Sequence, residues 1–117
     1  MKKTRRTSQV GAMIRDALVE VFRHDLNDID LGLTSITEVE VSPDLHYARV
    51  FVSGLKEEEA REMVRVLQKV NSRIRRSLGQ RIRLRVTPEL DFRYDETTMR
   101  ASRIESVLQE IKKDEES

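Results

Sequence analysis

The spacing of apolar residues changes period several times along this chain, and that switching restricts the fold more than any other feature. Over residues 8–26, Val10, Met13/Ile14, Ala17/Leu18, Val21/Phe22 and Leu26 recur at steps of three and four. Such steps put them on one stripe of a helix. Thr7 or Ser8 suits its N-cap, because a hydroxyl accepts from a free backbone N–H. Asp28 to Gly32 is a turn-rich exit. The period then drops to two. Residues 34–41, Thr34-Ser35-Ile36-Thr37-Glu38-Val39-Glu40-Val41, are rich in β-branched side chains and predict a strand. Ser42-Pro43-Asp44 is a turn, and residues 46–53 predict a second strand through Tyr47, Val50, Phe51 and Val52. So short a connection makes the pair an antiparallel hairpin.

Helical spacing returns after Gly54. Over residues 56–79, Ala60, Met63/Val64, Leu67, Val70, Ile74 and Leu78 share one side. Glu57, Glu58 and Glu59 at the start and Lys69 to Arg76 at the end complement the helix dipole, and Gly79 suits a C-terminal stop. A break near Asn71-Ser72 is expected, since both side chains can divert backbone hydrogen bonds. Residues 81–87 then alternate again, with Arg81, Arg83 and Arg85 towards one face and Ile82, Leu84 and Val86 towards the other. That pattern predicts a third strand, ended by Pro88 and able to run parallel to a neighbour. Leu90, Phe92 and Tyr94 alternate briefly. A last helix over 97–112, capped by Asp95 or Thr97, carries Ala101, Ile104, Leu108 and Ile111. The order is α-β-β-α-(kink)-α-β-α, an α+β layer.

The chain of 117 residues fits a single domain over 1–117, with charged ends at about 1–7 and 113–117 expected to be flexible tails. It has no cysteine, so neither disulfides nor thiolate metal sites are open to it, and a reducing compartment such as the cytoplasm fits. The start, Met1-Lys2-Lys3-Thr4-Arg5-Arg6, is followed by no unbroken apolar stretch, because Gly11, Arg15 and Asp16 interrupt it. Neither a secretory signal nor a membrane span is expected.

The net charge is only +1, but its distribution is uneven. Residues 24–48 carry six acids (Asp25, Asp28, Asp30, Glu38, Glu40, Asp44) and no Lys or Arg. Residues 69–85 carry seven bases (Lys69, Arg73, Arg75, Arg76, Arg81, Arg83, Arg85) and no acid. Such segregation favours an oriented encounter with a polyanion. The planar arginine fork suits phosphate oxygens, so the basic run is the candidate RNA-binding surface. The basic tail Lys2, Lys3, Arg5 and Arg6 is read either as an arm that folds on RNA or as a solubilising end. Set against both is a plain solvated face, balanced by the acids of 24–48 and of Glu57 to Glu62. An all-arginine strand face repels itself unless something anionic covers it, and an internal acidic partner would do so.

Catalysis finds little in the sequence. His24 and His46 are isolated, and no metal-ligand spacing, phosphate loop, dinucleotide fingerprint or nucleophile elbow is present. Asp44 shapes a turn, and Asp91 and Asp95 lie four residues apart on an extended segment, which makes no dyad. No cofactor and no metal are expected, and the chain is read as no enzyme. Aromatic content is 4%, too low for a base-stacking sheet, so backbone and shape recognition fit better.

Several phrases in this order resemble the bacterial ribosome-binding factor A family. They are Val10, Ile14 and Leu18 of the first helix; Ser42-Pro43-Asp44-Leu45 followed by Ala48-Arg49-Val50-Phe51-Val52-Ser53; Ile74-Arg75 through Leu78-Gly79; Leu84-Arg85; Thr87-Pro88-Glu89-Leu90-Asp91-Phe92 with Tyr94-Asp95; and Ser102-Arg103-Ile104. The resemblance covers about residues 4–110. It implies a type-II KH-like single domain, with a three-stranded sheet covered by helices on one face. In place of the KH phosphate loop the family has a helix–kink–helix with a small-x-Gly motif. Here the matching positions are Val70-Asn71-Ser72, which keep neither the small residue nor the glycine. The resemblance further implies binding to the 30S subunit through 16S rRNA, a part in late rRNA processing and maturation, and support of growth in the cold. It places the positive surface at Lys69, Arg73 and Arg76, with Arg75 and Gln80 beside them. Other ribosome-assembly factors are further partner candidates, and a monomer is expected. The competing reading is a KH-like protein-interaction module acting through its acidic 24–48 surface.

Overall fold

The computed structural model of the chain describes residues 4–32 and 34–96. The elements run α1 (Arg5–His24), β1 (Ser35–Val41), β2 (Tyr47–Ser53), α2 (Glu57–Lys69), α3 (Asn71–Arg81) and β3 (Glu89–Tyr94). This is the α+β architecture expected, with three helices and a three-stranded sheet among the described residues. The predicted helix over 97–112 lies outside the described residues, as do Lys2, Lys3 and the tail from 113.

In the sheet, β2 is central. It pairs antiparallel with β1 and parallel with β3, in the order β1-β2-β3. Alternation explains which side the helices cover. Ile36, Val39 and Val41 of β1, Ala48, Val50 and Val52 of β2, and Leu90 and Phe92 of β3 are buried. They join Ile14, Leu18 and Val21 of α1, Leu67 of α2, and Ile74 and Leu78 of α3 in one core. Phe92 is fully buried at its centre, and truncating such a residue to alanine costs about 3–5 kcal/mol. Helix α1 packs on β1 and α2 on β3, while α3 packs on α1. Gly11 lets α1 approach the sheet, because a Cβ there would stand 2.7 Å from the Val39 carbonyl oxygen. Thr37 is an extra residue in β1, where the register slips between Ile36 and Glu38. Its hydroxyl donates to Asp95 Oδ2 at 2.7 Å.

Two predicted boundaries are corrected. Helix α1 starts at Arg5, ahead of the expected Thr7 or Ser8 cap. Thr4 is the N-cap, and it forms a capping box with Thr7, which is buried. Arg5 and Arg6 of the expected tail therefore belong to the first helical turn. The strand predicted over 81–87 does not form. Arg81 ends α3, the Ile82 N–H still donates to the Leu78 carbonyl at 3.1 Å, and residues 82–88 are an irregular connector. The third strand begins after Pro88, where the Glu89 N–H donates to the His46 carbonyl at 2.8 Å and sets the parallel register. Arg81, Arg83 and Arg85 do not share a sheet face.

Candidate nucleic-acid interface

The predicted break is a single residue wide. Val70 closes α2 and opens α3 with φ −104° and ψ 19°, and its carbonyl still accepts from the Ile74 N–H at 3.0 Å. Asn71 was expected to turn its amide back on its own helix. Instead its Nδ2 donates to the Leu90 carbonyl at 2.8 Å and pins the kink to β3. Ser72 is exposed. The break thus sets α3 at a new angle, with Ile74 and Leu78 turned into the core and its arginines towards the surface.

Those arginines divide into two groups. Arg73 grips Asp28 with both arms of its fork, at 2.8 Å and 2.6 Å, and Nη2 also donates to the Asp25 carbonyl at 2.8 Å. Arg81 grips the Asp25 carboxylate through Nε and Nη2, both at 3.0 Å. The Arg73 guanidinium holds the Asp28 carboxyl down at about 2, with a backbone hydrogen bond assisting. Arg81 likewise lowers Asp25, chiefly by hydrogen bonding. Bidentate pairs of this kind are the stronger and more directional ion pairs. Arg75 donates to the Thr87 and Pro88 carbonyls at 2.7 Å and 3.2 Å and ties α3 to the connector.

Lys69, Arg76, Arg83 and Arg85 are exposed and make no ion pair among the described residues. Arg75 and Arg76 line, with Ser72, Gly79 and Thr87, an open hollow of about 430 Å³ between α3 and the connector. A Cβ on Gly79 would stand 2.9 Å from Thr87 Oγ1, so the glycine keeps that hollow's floor low. Arg85 lies elsewhere. It lines a second cavity with Arg6 of α1 and His46 of the β1–β2 turn. The acidic and basic blocks seen in the sequence therefore meet in part. Asp25 and Asp28 neutralise Arg73 and Arg81, Arg75 is spent on backbone carbonyls, and Lys69, Arg76, Arg83 and Arg85 find no carboxylate among the described residues. The acids of 24–48 balance the basic run as the sequence allows, but which acid meets which arginine is invisible there, because 45 and 56 residues separate the partners.

Exposed cations that no carboxylate answers among the described residues attract phosphate. Among the described residues no group of three or more His, Cys, Asp or Glu side chains could hold a metal ion. No described helix is long and apolar enough to cross a membrane.

Comparison with known proteins agrees with this architecture. The family model for ribosome-binding factor A matches residues 6–108. Among curated relatives, ribosome-binding factor A of Halothermothrix orenii is 35% identical over 116 residues, spanning 98% of this chain and 95% of the relative. That of Thermodesulfovibrio yellowstonii is 32% identical over 116 residues, spanning 99% and 98%. The crystal structure of the Thermus thermophilus factor superposes with a TM-score of 0.66 at 28% identity, covering 75% of this chain and 94% of that one. A homology model of the Thermus factor fitted into a cryo-electron-microscopy map of a 30S complex gives a TM-score of 0.61 at 30% identity, covering 74% and 92%. With nearly the whole chain matched in sequence and the described fold matched in space, this protein belongs to the ribosome-binding factor A family.

Proposed function

We propose that this chain binds the 30S ribosomal subunit through 16S rRNA and assists late maturation and processing of precursor 16S rRNA. It acts in the cytoplasm as a monomer, as a binding factor and not as an enzyme. The observation that carries this reading is the set of exposed cations on α2, α3 and the connector that form no ion pair among the described residues, Lys69, Arg76, Arg83 and Arg85. A Thermus relative of the same fold fitted in a 30S map supports the choice of partner. Phosphate contact from four such side chains predicts that log K falls against log salt with a slope of about −3 to −4.

The test is sedimentation of the purified protein with 30S, 50S and 70S particles over a salt series. Selective association with 30S that weakens with salt is expected. No association with any particle at low salt overturns the reading. The alternative, a protein module using the acidic 24–48 surface, is disfavoured by the commitment of Asp25 and Asp28 to α3.

A further inference from the structure

The second cavity shares no lining residue with the α3 hollow and forms where three separate segments meet. Arg6 of α1, Asp44, Leu45 and His46 of the β1–β2 turn, and Leu84, Arg85 and Val86 of the connector line it. Its volume is about 480 Å³, within the range of roughly 300–1,000 Å³ typical of small-ligand sites. Its lining combines two arginines with the aliphatic side chains of Leu45, Leu84 and Val86. Arg6 and Arg85 are exposed and make no ion pair among the described residues. Val86 is 47% exposed, which leaves an aliphatic wall open to solvent.

The turn is built to hold this shape. Leu45 has φ 63°, a left-handed backbone that large side chains rarely adopt, and its N–H donates to the Ser42 carbonyl at 2.9 Å. Backbone strain of this kind gathers at functional sites. Asp44 is the one acid on the lining among the described residues. Its Oδ1 accepts from the Ser42 hydroxyl at 2.6 Å and from the His46 N–H at 3.0 Å, so turn geometry occupies that oxygen. The Glu89 N–H holds the His46 carbonyl at 2.8 Å and keeps the connector beside the turn.

We propose that this cavity seats one nucleotide of single-stranded RNA, with Arg6 and Arg85 on its phosphate and the base against Leu84 and Val86. Two arginines on one concave surface match a phosphate, which accepts from both. A base set free from its stack buries its ring face against an apolar wall, and recognition of unpaired nucleotides is the usual mode for RNA. His46 adds a ring N–H donor at the rim. The inference rests on the RNA-binding reading above and adds to it a second contact, separate from the α3 hollow.

The full chain, labelled with 15N, is titrated with single-stranded hexamers of uridine and of adenosine, and in parallel with inorganic phosphate. Saturable shifts at the amides of residues 44–46 and 84–86 are expected with RNA. Arg85→Ala and Arg6→Ala should each weaken RNA binding roughly three- to tenfold and reduce the salt slope by about one, with unchanged spectra elsewhere. Val86→Ala should weaken RNA about twofold and leave phosphate binding alone. Shifts confined to α3, or an unchanged affinity in both arginine variants, overturn the proposal. So does inorganic phosphate binding as tightly as RNA, which would make the cavity an ion site only. Wild-type protein that co-sediments with 30S but binds neither hexamer sinks this inference and spares the proposed function. Failure of both assays removes the two together.

Discussion

Arg73 and Arg76 stand three positions apart on α3, yet among the described residues only Arg73 of the two has its charge answered by a carboxylate. Arg73 and Arg81 are clamped by Asp28 and Asp25, on the connection between α1 and β1. Arg76, with Lys69, Arg83 and Arg85, faces water. In composition the two groups are alike, and a charge count would treat them as one surface. The difference teaches that arginine has two uses in this fold. The clamped pair fastens α3 to the segment leaving α1, and the open set is left for an anion. A free fork can take a phosphate at once, whereas a clamped one must first give up a bidentate carboxylate.

The largest effect expected follows from reversing an open cation. Arg76→Glu should lower 30S affinity about tenfold or more at moderate salt, reduce the salt slope by at least about one and leave the melting midpoint nearly unchanged. Arg73→Glu should do the opposite, lowering the melting midpoint first, because it sets a carboxylate against Asp28. Sedimentation beside thermal melting separates the two. If Arg73→Glu abolished 30S binding in a fully stable protein, the distinction between clamped and open would be wrong.

A smaller effect, of opposite sign, comes from releasing the clamp. The double variant Asp25→Asn, Asp28→Asn removes both carboxylates and keeps the side-chain shapes. Arg73 and Arg81 then join the open set, so RNA affinity should rise about threefold and its salt dependence steepen. The melting midpoint should fall at the same time. Unchanged affinity would mean that phosphate never reaches these two forks.

How much of this was legible in the sequence follows from the range of each signal. The α1 stripe, the hairpin and the break near residue 70 were legible because each is local: Ile14, Leu18 and Val21 are all buried, and β1 and β2 pair as the turn requires. The third strand was misplaced for a physical reason. Arg81 to Val86 alternates well, but alternation alone supplies no pairing partner. The Ile82 N–H finds the Leu78 carbonyl, and Asp25 holds Arg81 at the helix end. Pro88 has no N–H to give, so the ladder starts at Glu89, and the weaker alternation of Leu90 and Phe92 fills the core. The site was half legible. The basic run stands out as charge in the sequence, but its division into clamped and open arginines depends on contacts across 45 residues or more, which no local pattern carries.

The kink offers an intermediate test. Asn71 is its tie to β3, through the bond to the Leu90 carbonyl. Asn71→Ala should cost about 1 kcal/mol, the usual net value of one such hydrogen bond, read as a shift in the urea midpoint. If the angle of α3 presents Arg76 and Lys69 to RNA, 30S affinity should drop about two- to threefold as well. A stability loss with no change in affinity would show that the kink serves the core alone.

The smallest effect concerns the clamp itself and can be read by pH. Arg73 holds the folded-state pKa of Asp28 at about 2, below the ordinary value of 3.8. A carboxylate with a depressed folded pKa binds fewer protons folded than unfolded between those two values. Its contribution to stability is therefore complete above about pH 4 and is lost as pH falls towards 2. Asp28 and Arg73 are both well exposed to solvent, so screening keeps that contribution modest. Asp25 and Asp44 are lowered too, so they also weaken the wild type as the pH falls into the acid range. Asp28→Asn retains those two groups and removes only the Asp28 titration. The difference between wild type and variant in urea midpoint should be constant from pH 7 to about 4, with the wild type more stable, and should shrink towards zero by about pH 2. Raising the salt concentration should shrink it at every pH. A difference that persists unchanged at pH 2 would mean that Asp28 acts by shape rather than charge, and the clamped arginine would then be electrostatically as open as its neighbour.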